Sequence, residues 1–181
     1  MKLLDKFLKY DGFLKVFKNT YDSNGTRLVR EVLSRGNSVA ALVHNLNDNK
    51  FYFVSQPRPA TLEKSYRPDS FLEVPAGMID KEETAIDAVL REIKEELGFT
   101  NFVDAETVSS VYLSPGRCDE RIELFYVQVT NKERLLEIGV DDEQITIEKF
   151  TEQKMKDYMD CNLIEDAKTL ILLQWYFLNK K

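Results

Sequence analysis

From Gly77 to Phe99 the chain reads GMIDKEETAIDAVLREIKEELGF, a glycine turn followed by a helical pattern that ends on crowded glutamates. At about 100° per residue, Glu92, Glu95 and Glu96 share roughly one third of the helix circumference, and Ile86, Leu90, Ile93 and Leu97 occupy an adjoining stretch. One edge of this helix is acidic and the next is apolar. Carboxylates three or four residues apart repel by roughly 0.2–0.5 kcal/mol per pair, and these crowd the helix end whose dipole already carries partial negative charge. A divalent cation that prefers hard oxygen ligands, Mg²⁺ or Mn²⁺, reverses that penalty. Without a ligand the same segment is only a solvated acidic face. Ala85 and Ala88 precede Glu92 on its stripe, where small side chains leave room for a bulky ligand. Arg91 lies one turn before Glu95 and about two turns after Glu83, so one cation can hold the stripe without filling the metal position. Thr84 is the expected N-cap and Gly98 the expected C-terminal glycine.

Gly77, five residues, Glu83, seven residues, then Arg91-Glu92-Ile93-Lys94-Glu95-Glu96-Leu97-Gly98-Phe99 matches every fixed position of the Nudix box. The chain therefore resembles a Nudix hydrolase. The resemblance implies an α+β fold, an α/β/α sandwich in which helices flank a mixed central sheet. It also implies Mg²⁺, with Mn²⁺ as a substitute, bound by Glu92 and Glu96 with help from Glu95 and the Ala76 carbonyl. Arg91 and Glu96 belong to the implied catalytic set. Gly77 joins the substrate wall, because its missing side chain lets backbone and ligand approach closely.

The loop Ser114-Pro115-Gly116-Arg117-Cys118-Asp119-Glu120 has ordinary turn chemistry on its own. The distance of Pro115 from Phe99, with Glu120 following, resembles the ADP-ribose and nucleotide-sugar pyrophosphatase branch of the family. That likeness implies Glu120 as the base that activates or orients the attacking water, with Pro115 and Gly116 near the substrate. Gln56 and Arg58 match a Gln-x-Arg segment of the same branch, and Arg58 is suited to gripping a phosphate bidentately. Ser55 stands where relatives often carry a basic residue, and Arg117 where many carry glycine. Arg30 to Val32, Gly36 to Leu42 and Asp166 to Leu170 extend the likeness. The implied reaction splits the diphosphate of a nucleoside diphosphate sugar such as ADP-ribose or GDP-mannose. A sensor that binds such a nucleotide without cleaving it, and a nucleoside triphosphate pyrophosphohydrolase, are the alternatives. Relatives of this branch are commonly homodimers that exchange N-terminal strands.

Composition narrows the remainder. With 181 residues, 43% of them apolar, the chain suits a sizeable core. A net charge of −6 with scattered lysines and arginines lacks the basic footprint of a nucleic-acid binder. Cys118 and Cys161 have neither metal spacing nor a disulfide framework, as expected in the reducing cytoplasm. No apolar run approaches the roughly 18 residues of a membrane helix, and Met1 to Tyr10 carries no cleavable signal. His44, the only histidine, precedes an Asn-rich turn and is a poor catalytic candidate. Tyr66, Phe71 and Tyr112 are of a type that stacks on a base or a sugar, although an aromatic near a strand is more often core, and Trp175 and Tyr176 read as packing residues.

Phe13–Tyr21 and Thr26–Leu33 read as an antiparallel hairpin around Asn24-Gly25. This makes residues 1–36 an N-terminal hairpin region with a possible role in dimer exchange, and residues 37–181 the hydrolase domain. Expected strands are Asn37–Val43, Lys50–Ser55, Phe71–Val74, Thr107–Leu113, Ile122–Val129 and Gln144–Phe150, with Pro75-Ala76-Gly77 as a turn. Asn131–Asp142 reads as mixed surface chain. A last helix from about Ala167 to Leu178 presents Leu170, Ile171, Gln174 and Leu178 at helical spacing.

Overall fold

A computed structural model of the chain describes residues 1–135 and 144–180. Three N-terminal strands, β1 (Lys2–Asp11), β2 (Lys15–Ser23) and β3 (Thr26–Ser34), form an antiparallel sheet in that order. The expected hairpin is β2–β3. Asn24 and Gly25 turn it with φ of 53° and 82°, and Gly25 N donates to Asp22 Oδ1 at 2.8 Å. Strand β1 was not foreseen; it pairs along β2 while every one of its residues is exposed.

The second sheet holds β4 (Asn37–Asn45), β5 (Lys50–Gln56), β6 (Phe71–Glu73), β7 (Ala76–Met78), β8 (Asn101–Tyr112), β9 (Arg121–Thr130) and β10 (Thr146–Phe150). Its order is β10-β5-β4-β9-β8, with β6 beside β5 and β7 beside β4. Only β4 and β9 run parallel, so the sheet is mixed. Helices α1 (Ala85–Leu97), α2 (Glu152–Asp160) and α3 (Ala167–Asn179) cover it. The pleat divides β4 between two cores. Val39, Ala41 and Val43 meet Val89, Ile93 and Leu97 of α1, while Ala40 and Leu42 share the opposite core with Met155 of α2 and Leu172, Leu173 and Tyr176 of α3. Burial on both faces explains why β4 and β5 read as nearly unbroken apolar runs. This is the expected α+β sandwich with its N-terminal antiparallel hairpin.

Several local expectations are corrected. Pro75-Ala76-Gly77 is not simply a turn, because Ala76–Met78 pairs with Ser38–Ala40. Strand β8 begins at Asn101 rather than Thr107, and α2 had no counterpart in the sequence reading. On α1, Ile86 is 37% exposed and Ala88 is fully buried against the sheet, so Ala88 leaves no room for a ligand. On α3 the buried stripe is Lys168, Thr169, Leu172, Leu173 and Tyr176, while Gln174 is exposed and Leu178 is 82% exposed. Of the surface segment Asn131–Asp142, residues beyond Leu135 lie outside the described residues. Among the described residues no helix is long and apolar enough to cross a membrane.

Candidate active site

Two capping interactions aim α1. Thr84 Oγ1 accepts from Asp87 N at 3.2 Å at the start, and Gly98 closes the end with φ 76°. The helix thereby presents Glu92 and Glu96 to a cleft of about 500 Å³. Gly77 faces Glu92 across this wall at a separation only glycine permits. A Cβ there would lie 1.8 Å from Glu92 Oε1 and 2.0 Å from its Cδ. Glu96 is 7% exposed, and its Oε2 accepts from Ala76 N at 3.3 Å.

Arg91 organises the acidic edge from behind. It donates to both Glu83 oxygens (Nε at 3.0 Å, Nη2 at 3.1 Å), to Glu92 Oε1 (2.7 Å), to Glu95 Oε2 (3.0 Å) and to the Met78 carbonyl (2.9 Å). Its hydrogen bonds to Glu83, followed by Glu92 and Glu95, outweigh burial and raise the guanidinium pKa above its usual value. The same hydrogen bonds hold the Glu83 carboxyl below the ordinary carboxylate range. Neither Arg91 nor Glu95 lines the cleft. Arg91 thus braces the acidic edge from outside the cleft, and Glu95 accepts from it at 3.0 Å.

Glu120 enters the same cleft from the loop between β8 and β9. Its Oε1 accepts from Ser38 Oγ at 2.7 Å, and its Oε2 lies 3.7 Å from Arg35 Nε. The loop itself is tied to the end of β3. Leu33 N donates to Arg117 O at 2.8 Å and Asp119 N to Leu33 O at 3.0 Å, while Asp119 accepts from Ser34 Oγ at 2.6 Å and Arg35 N at 2.9 Å. Pro115 and Gly116 are not brought to the cleft. They line a separate concavity of about 280 Å³ with Tyr21, Val32 and Tyr112.

Gln56 and Arg58 do line the cleft, joined by Lys168 from the first turn of α3. Arg58 Nε and Lys168 Nζ each donate to the buried Glu73 at 2.6 Å, and Lys168 also reaches Asp166 Oδ1 at 2.9 Å. Burial alone would raise the Glu73 pKa, but Lys168 and Arg58 outweigh it and hold the carboxyl below its ordinary range. Burial likewise opposes the Lys168 ammonium, and Asp166 and Glu73 more than compensate. Both groups stay charged at neutral pH. Arg35, Ser38 and Lys168 had no role in the sequence reading. Lys168 lies in the Asp166 to Leu170 segment that extends the likeness, but nothing local gave it a role, since its partner Glu73 lies 95 residues away.

His44 lies outside the cleft, between the Tyr126 hydroxyl and Asn49 Oδ1 at 2.8 Å each, and stacks on Phe51. It is a core histidine. Phe71 packs in the interior, and the Tyr66 hydroxyl donates to the Asn162 carbonyl at 2.8 Å.

No three His, Cys, Asp or Glu side chains among the described residues converge as a complete metal set. Two half-buried to buried carboxylates, Glu92 and Glu96, beside a glycine-thinned backbone wall fit a different arrangement. Mg²⁺ characteristically takes one or two protein carboxylates and fills its shell with water and phosphate oxygens. The donor set suits that hard cation.

The chain is similar to known proteins. The NUDIX domain profile matches residues 35–169. A GDP-mannose pyrophosphatase of Cronobacter sakazakii is 33% identical over 177 residues, which cover 94% of this chain and 91% of that protein. One of Salmonella paratyphi B is 29% identical over 177 residues, covering 94% of this chain and 91% of that protein. The crystal structure of an ADP compounds hydrolase superposes with a TM-score of 0.78 at 19% identity, covering 98% of this chain and 94% of its own. That last likeness concerns the fold.

Proposed function

The chain belongs to the Nudix hydrolase family, and we propose that it cleaves the diphosphate of a nucleoside diphosphate sugar into a nucleoside monophosphate and a sugar phosphate. The observation that carries this reading is the composition of one cleft. Glu92 and Glu96, suited to a divalent cation, share about 500 Å³ with Arg58 and Lys168, suited to phosphate, and with Glu120. The GDP-mannose pyrophosphatases to which the chain is similar across most of its length support the substrate class.

Glu92 and Glu96, helped by the Ala76 carbonyl, would hold Mg²⁺ or Mn²⁺, and Glu95 would help from outside the cleft by holding Arg91 against them. When bound, such an ion neutralises the non-bridging phosphate oxygens and makes phosphorus more electrophilic. Arg91 fixes the spacing of the acids, and Gly77 lets the backbone wall close on Glu92. Glu120 takes the proton of a water whose oxygen joins one phosphorus as the bridging P–O bond breaks. Ser38 and Arg35 aim Glu120. Gln56 and Arg58 orient the diphosphate, and Pro115 and Gly116 contribute through the shape of the Glu120 loop. The working form is a cytoplasmic homodimer in this reading. Exposed apolar side chains on the N-terminal sheet, Leu4 at 55%, Phe7 at 60% and Tyr10 at 59%, support exchange of residues 1–36 between subunits. Cys118 and Cys161 carry free thiols, which suits a reducing compartment.

Turnover of GDP-mannose, ADP-ribose, UDP-glucose and 8-oxo-dGTP, each with Mg²⁺ and Mn²⁺, tests the reading. A nucleoside diphosphate sugar is expected to lead the panel. Glu96→Gln is expected to lower kcat by at least about a hundredfold, with the far-UV circular dichroism spectrum unchanged. Faster turnover of 8-oxo-dGTP assigns the chain to triphosphates, and binding of a nucleotide sugar without product makes it a sensor.

A further inference from the structure

Glu73 occupies a place that ion holding and water activation leave unexplained. It closes β6, is 5% exposed, and gives one oxygen to each of two cations, Oε1 to Lys168 Nζ and Oε2 to Arg58 Nε, both at 2.6 Å. Both cations line the cleft with Glu92 and Glu96, whereas Glu73 stands behind them. The assembly is locked from α3 as well. Asp166 accepts from Lys168 Nζ at 2.9 Å and caps the helix through Thr169 N at 3.0 Å and Thr169 Oγ1 at 2.6 Å. Thr169 Oγ1 in turn accepts from Val74 N, the residue after Glu73, at 2.9 Å. Backbone and side chains thus form a closed ring between β6 and the start of α3.

Such a ring is a poor way merely to join a strand to a helix. Well-packed apolar residues often do that as well or better, because buried charges must be fully compensated. Its value lies in what it points at. Helices α1 and α3 pack on opposite faces of the sheet, so one face supplies carboxylates to the cleft and the other supplies an ammonium. An arginine fork and a lysine point charge, held a fixed distance apart by one carboxylate, match a phosphate group in shape and charge.

We propose that Glu73 is a positioning residue that sets Arg58 and Lys168 as a two-pronged clamp for the diphosphate. This rests on the reading of the cleft as a diphosphate site. A glutamine at position 73 accepts from one cation and turns an NH₂ group toward the other, so the prongs lose their spacing. In steady-state assays with GDP-mannose at saturating Mg²⁺, Glu73→Gln and Lys168→Met are each expected to raise KM at least about tenfold with kcat within about threefold. The double variant is expected to raise KM by less than the product of the two, since Glu73 acts through Lys168. Mn²⁺ binding, followed by calorimetry, stays unchanged. A purely structural Glu73 would lower Tm and leave KM alone, and KM within twofold of wild type in the folded variants overturns the clamp while leaving the proposed reaction intact. Lys168→Met decides if Glu73→Gln does not fold. If the wild type hydrolyses no nucleotide sugar, calorimetry with inorganic pyrophosphate decides: weaker binding to the variants supports the clamp, and equal binding overturns it.

Discussion

Gly77 shows how little a single residue must do to matter. No left-handed backbone requires glycine there, since the positive-φ glycines are Gly25, Gly36 and Gly98. The requirement is steric, a Cβ 1.8 Å from a carboxylate oxygen. Because that oxygen ends a flexible side chain, Gly77→Ala should push Glu92 aside rather than unfold the chain. Steady-state kinetics are expected to show a loss in kcat of about a hundredfold, with Tm within a few degrees of wild type. Glu83 makes a prediction about pH. Its folded pKa lies below the ordinary 4.5 because Arg91 hydrogen-bonds it. A depressed carboxylate stabilises the fold fully above its unfolded pKa and loses that contribution as pH falls through the folded value. Urea unfolding of wild type and Glu83→Gln should therefore differ by a constant amount from pH 7 to about pH 5, and the difference should shrink below about pH 4.5. Both residues were legible in the sequence, because the Nudix box sets Gly77, Glu83 and Arg91 along one strand-turn-helix unit. Lys168 was not, since its meaning comes from Glu73 in a distant segment.

Among the elements, α1 and α3 were both readable as helices, α3 running Ala167–Asn179 where a helix from about Ala167 to Leu178 was expected, but the buried face of α3 was not. The caps Thr84 and Gly98 and the acidic edge bound α1 on local chemistry alone. Even there the apolar face was only partly placed: Ile93 and Leu97 are in the core with Leu90 packed against it, but Ile86 is left exposed and Ala88 and Val89 join the core instead. Helix α3 is apolar nearly all round from Leu170 to Leu178, so periodicity hardly distinguishes one face from another. Its orientation is fixed instead by Lys168 on Glu73 and Thr169 on the β6 backbone. Chemical denaturation checks the assignment. Leu172→Ala, at a fully buried position, is expected to cost about 2–5 kcal/mol, and Leu178→Ala, 82% exposed, about 0.5 kcal/mol or less. Strand β1 was missed because its residues face solvent on both sides, which leaves no buried face to set an alternating pattern.

At the level of the whole molecule, the two sheets divide the labour. The seven-stranded sheet and its helices build the cleft, and the three-stranded sheet offers Leu3, Leu4, Phe7, Leu8 and Tyr10 to solvent. Sedimentation is expected to show a dimer, and Phe7→Lys should shift it toward monomer by placing a charge on that face. The mixed sheet sandwiched between helices followed from the Nudix box once the family resemblance was drawn, whereas the approach of α3 to the cleft depended on pairings that no short window of residues contains. The tether between Leu33, Ser34 and Arg35 and the segment Arg117–Asp119 has a practical corollary. Trimming away the first three strands to obtain a minimal hydrolase would strip the backbone anchors from the very loop that delivers Glu120, so the shortened protein should keep its affinity for divalent ions yet hydrolyse slowly.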